Sequence, residues 1–184
     1  MNQVFTIREG IAKLVEGQDL TREEARRAMA DIMDGRATPA QIGSFVTALR
    51  MKGETINEIA GLAETMREKA QQVKTGMTGL LDTCGTGGDG ANTFNISTAA
   101  SIIAAAGGVR VAKHGNRAAS RTSALPLLLE ALGVEIQLDP EQVADCMKQI
   151  GIGFMFAQIY HQSMKHAAAP RKELGVRNVF NLLG

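Results

Sequence analysis

The 184-residue sequence has no tryptophan, one tyrosine and six phenylalanines. It therefore lacks the aromatic platforms on which single-stranded nucleic acids stack. Cysteine is almost as scarce: Cys84 and Cys146 are the only two, so a reduced, cytoplasmic setting is expected. No apolar signal segment opens the chain. The longest run of small apolar residues, Ala99 to Ala106, is interrupted by Ser101 and far too short to cross a bilayer, so no membrane role is expected. A charge excess is missing too. The formal net charge of +1 argues against a general nucleic-acid surface. With 45% hydrophobic and 21% charged residues, the composition is that of a soluble globular protein, either one ordinary domain or a small domain beside a larger one.

One further absence is local. Between Asp89 and Glu130 there is no acidic residue, yet Arg110, Lys113, Arg117 and Arg121 all fall there. This basic block follows the most distinctive stretch of the chain, Asp82-Thr-Cys-Gly-Thr-Gly-Gly-Asp-Gly-Ala-Asn-Thr-Phe-Asn-Ile-Ser-Thr98. Glycines at 85, 87, 88 and 90 strip side chains from one loop, so backbone N–H groups are able to converge on an anion. Leu80-Leu81 reads as the end of a buried strand before that loop, and Ser97-Thr98 open a helical run of small residues. A glycine loop feeding a helix N-terminus suits phosphate, because orphan N–H groups and the helix dipole both favour negative charge.

Other glycine-loop chemistries fail on what is missing. Gly85-Thr-Gly-Gly-Asp-Gly90 satisfies the dinucleotide fingerprint literally, but that site needs an acid about 20 residues on to hold a ribose hydroxyl. Here the second strand candidate ends in Lys113-His114 and offers none. No Gly-Lys-Ser/Thr follows at the spacing of a Walker loop. A bare glycine-rich turn would not require the basic block.

The first 70 residues carry four capping-box signals: Thr6-Ile-Arg-Glu9, Thr21-Arg-Glu-Glu24, Thr38-Pro-Ala-Gln41 and Thr55-Ile-Asn-Glu58. Pro39 occupies a first helical position, and Gly17, Gly35 and Gly53 stand where helices would stop. Apolar stripes such as Ile42, Phe45, Val46 and Leu49 repeat with helical spacing. A four-helix module is predicted, with surplus apolar surface available for a dimer interface.

After a connector from Gln71 to Gly79, short apolar strands alternate with helices. Strands are predicted at Leu80 to Thr83, Val109 to Ala112, Val134 to Leu138 and Ile152 to Phe156. Helices are predicted from about Thr98, from Ser123 to Leu132, and from Asp139-Pro140 to Gly151. This alternation predicts an α/β fold with a mainly parallel sheet and crossover helices. Ligands in such sheets gather at the carboxyl ends of strands, which brings the glycine loop and Lys113-His-Gly-Asn-Arg117 to one crevice. The stretch from Ser163 to Gly184 returns to helical character. The expected organisation is a helical domain over 1–72, joined by 163–184, and an α/β domain over 73–162.

Cys84 lacks a partner base in the sequence and reads as a small buried residue. His161 and His166 have no cysteine or acidic companions at ligand spacing, so no zinc site is expected from them.

Gly85-Thr-Gly-Gly-Asp89, Asn95-Ile-Ser-Thr98, Lys113-His-Gly-Asn-Arg117 and Arg171-Lys-Glu-Leu-Gly175 resemble, in order, the signature segments of the anthranilate phosphoribosyltransferase family. The resemblance extends through the helical module and covers about the N-terminal half of a family member, which implies a truncated α/β domain. It implies a homodimer formed through the helical domains. It also implies transfer of phosphoribose from phosphoribosyl diphosphate to the amine of anthranilate, in tryptophan biosynthesis. Carried over by position, Gly85, Gly88 and Asp89 meet the diphosphate and ribose. Thr93, Asn95, Ile96, Ser97 and Thr98 continue that site, with the Ser97 hydroxyl on Mg2+. Lys113, His114, Gly115, Asn116, Arg117 and Ser120 hold phosphates, while Gly85, Asn116 and Arg171 face anthranilate. His114 reads as a hydrogen-bonding wall residue, and no acid or base is assigned.

The chain departs from the family pattern at Ser120-Arg-Thr-Ser-Ala-Leu-Pro-Leu127. Leu125 replaces a serine expected to touch the donor, and Arg121 adds a charge. Gln158 and Gln162 stand where prolines are frequent. Two alternatives accompany this reading. One is a pyrimidine-nucleoside phosphorylase of the same architecture; the other is a non-catalytic phosphate- or nucleic-acid-binding paralogue.

Overall fold

The computed structural model describes residues 5–85, 95–115 and 129–183. They fall into two compact units, one comprising Met1–Ala70 with His161–Gly184 and the other Gln71–Tyr160.

The helical unit begins with α1 (Ile7–Val15), α2 (Arg22–Met33), α3 (Pro39–Lys52) and α4 (Ile56–Lys69). All four predicted capping boxes close, at Thr6, Thr21, Thr38 and Thr55. Gly53 caps α3 with φ of 92°, and Gly35, just past α2, has φ of 71°. A side chain on Gly35 would also lie 2.7 Å from the His166 ring. Ile7, Leu14, Met29, Ile32, Phe45 and Leu49 make the core.

α2 and α4 run in the same direction, since Arg22 pairs with Glu64 and, one turn on, Arg26 reaches Glu68 at 2.6 Å. They approach closely because α4 carries Gly61, whose missing side chain makes room for the Arg22 carbonyl. Thr65 then donates to the Arg26 carbonyl at 3.1 Å. Two later helices, α8 (Lys165–Leu174) and α9 (Phe180–Leu183), join this unit. Ala167, Val179 and Phe180 enter the same core as the first four helices.

Glu58 is fully buried, and its carboxylate closes three elements together. It accepts from Leu20 N at 2.9 Å, Thr55 N at 2.7 Å and Lys52 Nζ at 3.0 Å. Glu58→Ala would leave the Lys52 ammonium and two backbone donors without this acceptor. Breaking one side of a buried pair costs about 3–5 kcal/mol, so thermal unfolding of this variant is expected well below that of the parent. Glu58→Gln, which keeps an acceptor oxygen, is expected to fall between the two.

The hydrogen bond from Lys69 at 2.5 Å, helped by Arg36, holds the Asp34 carboxyl below its ordinary pKa. A carboxyl whose pKa is lower in the folded state adds stability above the unfolded value of about 4, and this is lost as pH falls through the folded value. Melting temperature measured from pH 6 down to pH 2 is therefore expected to fall less steeply in Asp34→Asn than in the parent.

The second unit has the predicted α/β character, with corrections. It contains α5 (Ile96–Ala106), β1 (Val111–Gly115), α6 (Pro140–Ile150), β2 (Ile152–Phe156) and α7 (Ala157–Tyr160). β1 and β2 pair in parallel, with Val111 opposite Ile152 and Gly115 opposite Phe156. α6 forms as a helix directly ahead of β2, as expected, although the strand expected before it does not form. Asp139 caps its start through Glu141 N and Gln142 N, and Gly151 ends it in the left-handed region.

The Leu80 to Thr83 strand reduces to a single parallel bridge between Leu81 and Val111, with Ala112 N donating to the Leu81 carbonyl at 2.9 Å. The Val134 to Leu138 segment forms no strand. Ile136 is buried and Tyr160 Oη donates to the Leu138 carbonyl at 3.1 Å, so the segment packs without a ladder. The helix expected over 123–132 is described only from Leu129 on. β2 carries Gly153 because α6 sits on it: an added Cβ would meet Met147 Cγ at 2.6 Å and Val143 Cγ1 at 2.8 Å.

Candidate active site

Three segments of the α/β unit converge at the carboxyl end of β1. The first is 82–85, where the chain leaves its bridge to Val111 and enters the glycine loop. The second is the start of α5, and the third is Lys113-His114-Gly115. Asp82 joins the first to the third: its Oδ1 accepts from Cys84 N at 2.9 Å and from His114 N at 3.3 Å. Thr83 joins the first to the second, donating from Oγ1 to the Ser97 carbonyl at 2.8 Å.

α5 starts before the small-residue run, because Asn95 caps it. Asn95 Oδ1 accepts from Thr98 N at 3.1 Å and from Ser97 Oγ at 3.0 Å. The other first-turn N–H groups have no partner inside the helix and are those an anion would take. Ile96 is exposed, so its backbone rather than its side chain belongs to the site. Thr98 is buried and its hydroxyl oxygen has no hydrogen-bond partner among the described residues.

Lys113 is the strongest electrostatic feature. Alternation along β1 turns it to the same side as Val111 and Gly115, and only 3% of the residue is exposed. Its ammonium donates to the His114 carbonyl at 3.2 Å, and among the described residues no carboxylate pairs with it. A buried cation satisfied by one carbonyl is costly unless an anion completes it. His114 is half-buried, and this burial holds its imidazole below the ordinary value despite the opposing charge of Asp82. It is therefore neutral at pH 7.

Cys84 is exposed, which corrects the expectation of a buried residue. Partial desolvation of its sulfur pushes the thiol up, with Asp82 acting in the same direction. Its Sγ lies 3.7 Å from His114 Nδ1, a neighbour the sequence did not indicate across 30 residues. Asp82 and Thr83 were missed as positioning residues. The signal available was two hydrogen-bonding side chains directly ahead of a glycine loop.

Mg2+ demands oxygen ligands and keeps several waters, taking one or two protein groups plus substrate phosphates. The residues present fit that habit. Ser97 Oγ donates its proton to Asn95 and so keeps lone pairs for a cation, while no cluster of three metal-binding side chains exists among the described residues.

Of the expected site residues, Gly85, Asn95, Ile96, Ser97, Thr98, Lys113, His114 and Gly115 lie in this convergence. Gly88, Asp89, Thr93, Asn116, Arg117 and Ser120 fall outside the described residues. Arg171 belongs to α8 in the helical unit, where its guanidinium stacks 5.1 Å above the Phe180 ring and burial lowers its pKa.

Comparison with known proteins agrees with this architecture. The helical bundle domain of a glycosyl transferase family matches residues 8–70, and the α/β domain of the same family matches residues 77–184. The last part of that α/β match belongs to the helical unit. An anthranilate phosphoribosyltransferase of Acetivibrio thermocellus is 60% identical over 178 residues, covering 97% of this chain and 52% of the relative. The Brevibacillus brevis anthranilate phosphoribosyltransferase is 56% identical, covering 95% and 51%.

The crystal structure of anthranilate phosphoribosyltransferase from Thermus thermophilus superposes with a TM-score of 0.90 at 47% identity, covering 95% of this chain and 53% of that one. The Saccharomyces cerevisiae enzyme in complex with PRPP and Mg gives a TM-score of 0.87 at 29% identity, covering 97% and 53%. The chain spans about half the length of the relatives it matches. With both domain descriptions met in order, the chain belongs to this glycosyl transferase family and resembles its anthranilate phosphoribosyltransferases along almost its entire length.

Proposed function

We propose that the chain serves the transfer of phosphoribose from phosphoribosyl diphosphate to the amine of anthranilate, a cytoplasmic step of tryptophan biosynthesis. The observation that carries this reading is the buried Lys113 ammonium, set where residues 82–85 and the start of α5 converge, with a single carbonyl partner among the described residues. The kinship with anthranilate phosphoribosyltransferases supports the choice of substrates.

In the reaction the C1–O bond to diphosphate breaks, its electron pair leaving with the diphosphate. The aniline nitrogen forms the new bond to C1 and then loses a proton. Negative charge therefore concentrates on the leaving group, and fixed donors placed around it lower the barrier. Lys113, the first-turn N–H groups of α5 and the backbone of Gly85 supply those donors. By family resemblance, Gly88 and Asp89 are assigned to the diphosphate and ribose, Thr93 to the continuation of that site, and His114, Gly115, Asn116, Arg117 and Ser120 to the phosphates. Bound Mg2+ neutralises diphosphate charge, and Ser97 Oγ, with Asn95 fixing its proton, is the residue that would hold it. Gly85, Asn116 and Arg171 are assigned to anthranilate, the guanidinium fork suiting its carboxylate.

A strong base is not required, since the aniline is neutral at pH 7. Calorimetric titration with phosphoribosyl diphosphate, with and without Mg2+, tests the reading. Saturable binding strengthened by Mg2+ is expected, and no heat under either condition would overturn it.

We assign the homodimer contact to the helical unit. Val15, Met51 and Ile56 are exposed there at 69%, 83% and 87%, and Val15 and Met51 flank a groove of about 450 Å³. Apolar side chains left this open in a small helical module suit a symmetric contact. Sedimentation equilibrium is expected to give a dimer for the parent and a monomer for Val15→Asp/Met51→Asp.

A further inference from the structure

Side chains alternate across a strand, and just past the bridge at Leu81 two consecutive ones grip different neighbours. Asp82 Oδ1 accepts from Cys84 N at 2.9 Å and from His114 N at 3.3 Å, so one oxygen holds both the residue before Gly85 and the end of β1. Thr83 Oγ1 donates to the Ser97 carbonyl at 2.8 Å and holds the same stem to α5. We propose that Asp82 and Thr83 act as one latch that presets Gly85 against Lys113 and the first turn of α5, and that Asp82 does so through its hydrogen bonds and in spite of its charge. The latch rests on the phosphate reading above and supplies the positioning residues of that site.

Gly85 needs such help. Glycine loses more conformational freedom on ordering than any other residue. Nothing lies within 4 Å of a Cβ added at Gly85, so packing does not fix it, and its carbonyl accepts only a weak thiol bond from Cys84 at 3.6 Å among the described residues. Its backbone is instead placed through the residues ahead of it. Donors set before the ligand arrives bind it with less ordering cost and stabilise developing charge without rearrangement. The β-branched Thr83 is stiff at χ1, which keeps its arm of the latch in place.

By charge alone, a carboxylate is the wrong group beside a diphosphate site, since like charges repel. Lys113 does not cancel it by a bond, because its ammonium donates to the His114 carbonyl rather than to Asp82. Asp82 and Lys113 act on the His114 imidazole with opposite sign, so the field of Asp82 reaches the place where Lys113 would draw an anion. The hydrogen bonds favour the ligand and the charge opposes it. An amide at this position keeps the acceptor oxygen and removes the charge, which separates the two effects.

Calorimetric titration of the whole chain with inorganic diphosphate, at constant Mg2+, tests the latch, with thermal unfolding of each variant as the check on folding. Asp82→Ala is expected to weaken binding about 10-fold, and Asp82→Asn to bind at least as tightly as the parent. Thr83→Val, which keeps the shape and loses the hydroxyl, is expected to weaken binding about 5-fold, and Thr83→Ser to restore it. Because both arms hold one stem, the double variant Asp82→Ala/Thr83→Val is expected to lose less than the product of the two single losses. Asp82→Asn binding as poorly as Asp82→Ala would make the charge the active feature and overturn the proposal, as would single losses that multiply. Equal affinity in the parent and every variant would overturn the latch alone. A parent that takes up no diphosphate would overturn the phosphate reading and the latch with it.

Discussion

Gly61→Ala is expected to be the most destabilising single-methyl change in the helical unit. The added Cβ would stand 2.2 Å from the Arg22 carbonyl oxygen and 3.1 Å from Ala25 Cβ. Neither obstacle is the end of a flexible side chain, so relief requires α2 and α4 to separate. Separation would stretch the Arg26–Glu68 pair at 2.6 Å and the Thr65 hydrogen bond to the Arg26 carbonyl at 3.1 Å. Overpacking in a filled core costs about 1–3 kcal/mol, and a backbone obstacle places this variant at or above the upper end. At roughly 4–8 °C per kcal/mol for a unit of this size, the melting temperature is expected to fall by about 10 °C or more.

Gly43→Ala is the matched control. Gly43 lies inside α3 with nothing within 4 Å of an added Cβ, so the helix gains about 0.5–1 kcal/mol from the better helix former. If both variants melt alike, close approach of α2 and α4 is not what Gly61 provides.

Lys113→Met is expected to divide binding from stability. Hydrogen bonds to charged groups contribute about 1.5–3 kcal/mol, so loss of the ammonium is expected to weaken phosphoribosyl diphosphate binding about 10–150-fold. The unbound protein is expected to melt at the same temperature or higher. Lys113 is 3% exposed with one carbonyl partner among the described residues, whereas methionine fills similar space without charge. Calorimetry and thermal unfolding on the same variant separate the cases. Unchanged affinity would remove Lys113 from the phosphate site, and a marked fall in melting temperature would make it a structural residue.

Legibility in the sequence followed the range of the interactions. The four capping boxes join residues three apart, and each closes where its threonine and acidic or amide partner stand. The same holds for α6, framed by Asp139-Pro140 and Gly151. The Val134 to Leu138 segment has strand-like composition, but a ladder needs a neighbouring backbone in register. The segment is held instead by side-chain packing of Ile136 and by local hydrogen bonds, among them Val134 N to the Leu129 carbonyl and the Tyr160 hydroxyl to the Leu138 carbonyl.

At the site, the glycine loop, the start of α5 and Lys113 were visible because their residue types carry the chemistry locally. Asp82 and the Cys84–His114 contact were not, because they arise where two strand ends separated by about 30 residues meet. Cys84 was misjudged for the same reason: composition favours burial of cysteine, while its exposure is set by the turn it occupies.

The return of residues 161–184 to the helical unit bears on the order in which the chain matures on the ribosome. When the first 70 residues have emerged, the core they build still lacks Ala167, Val179 and Phe180. Those side chains arrive only after the α/β unit, Gln71–Tyr160, has been translated. The first four helices therefore wait for α8 and α9. Until then the apolar stripe that will receive Phe180 is open to the first chaperone, or the first sister chain, that meets it.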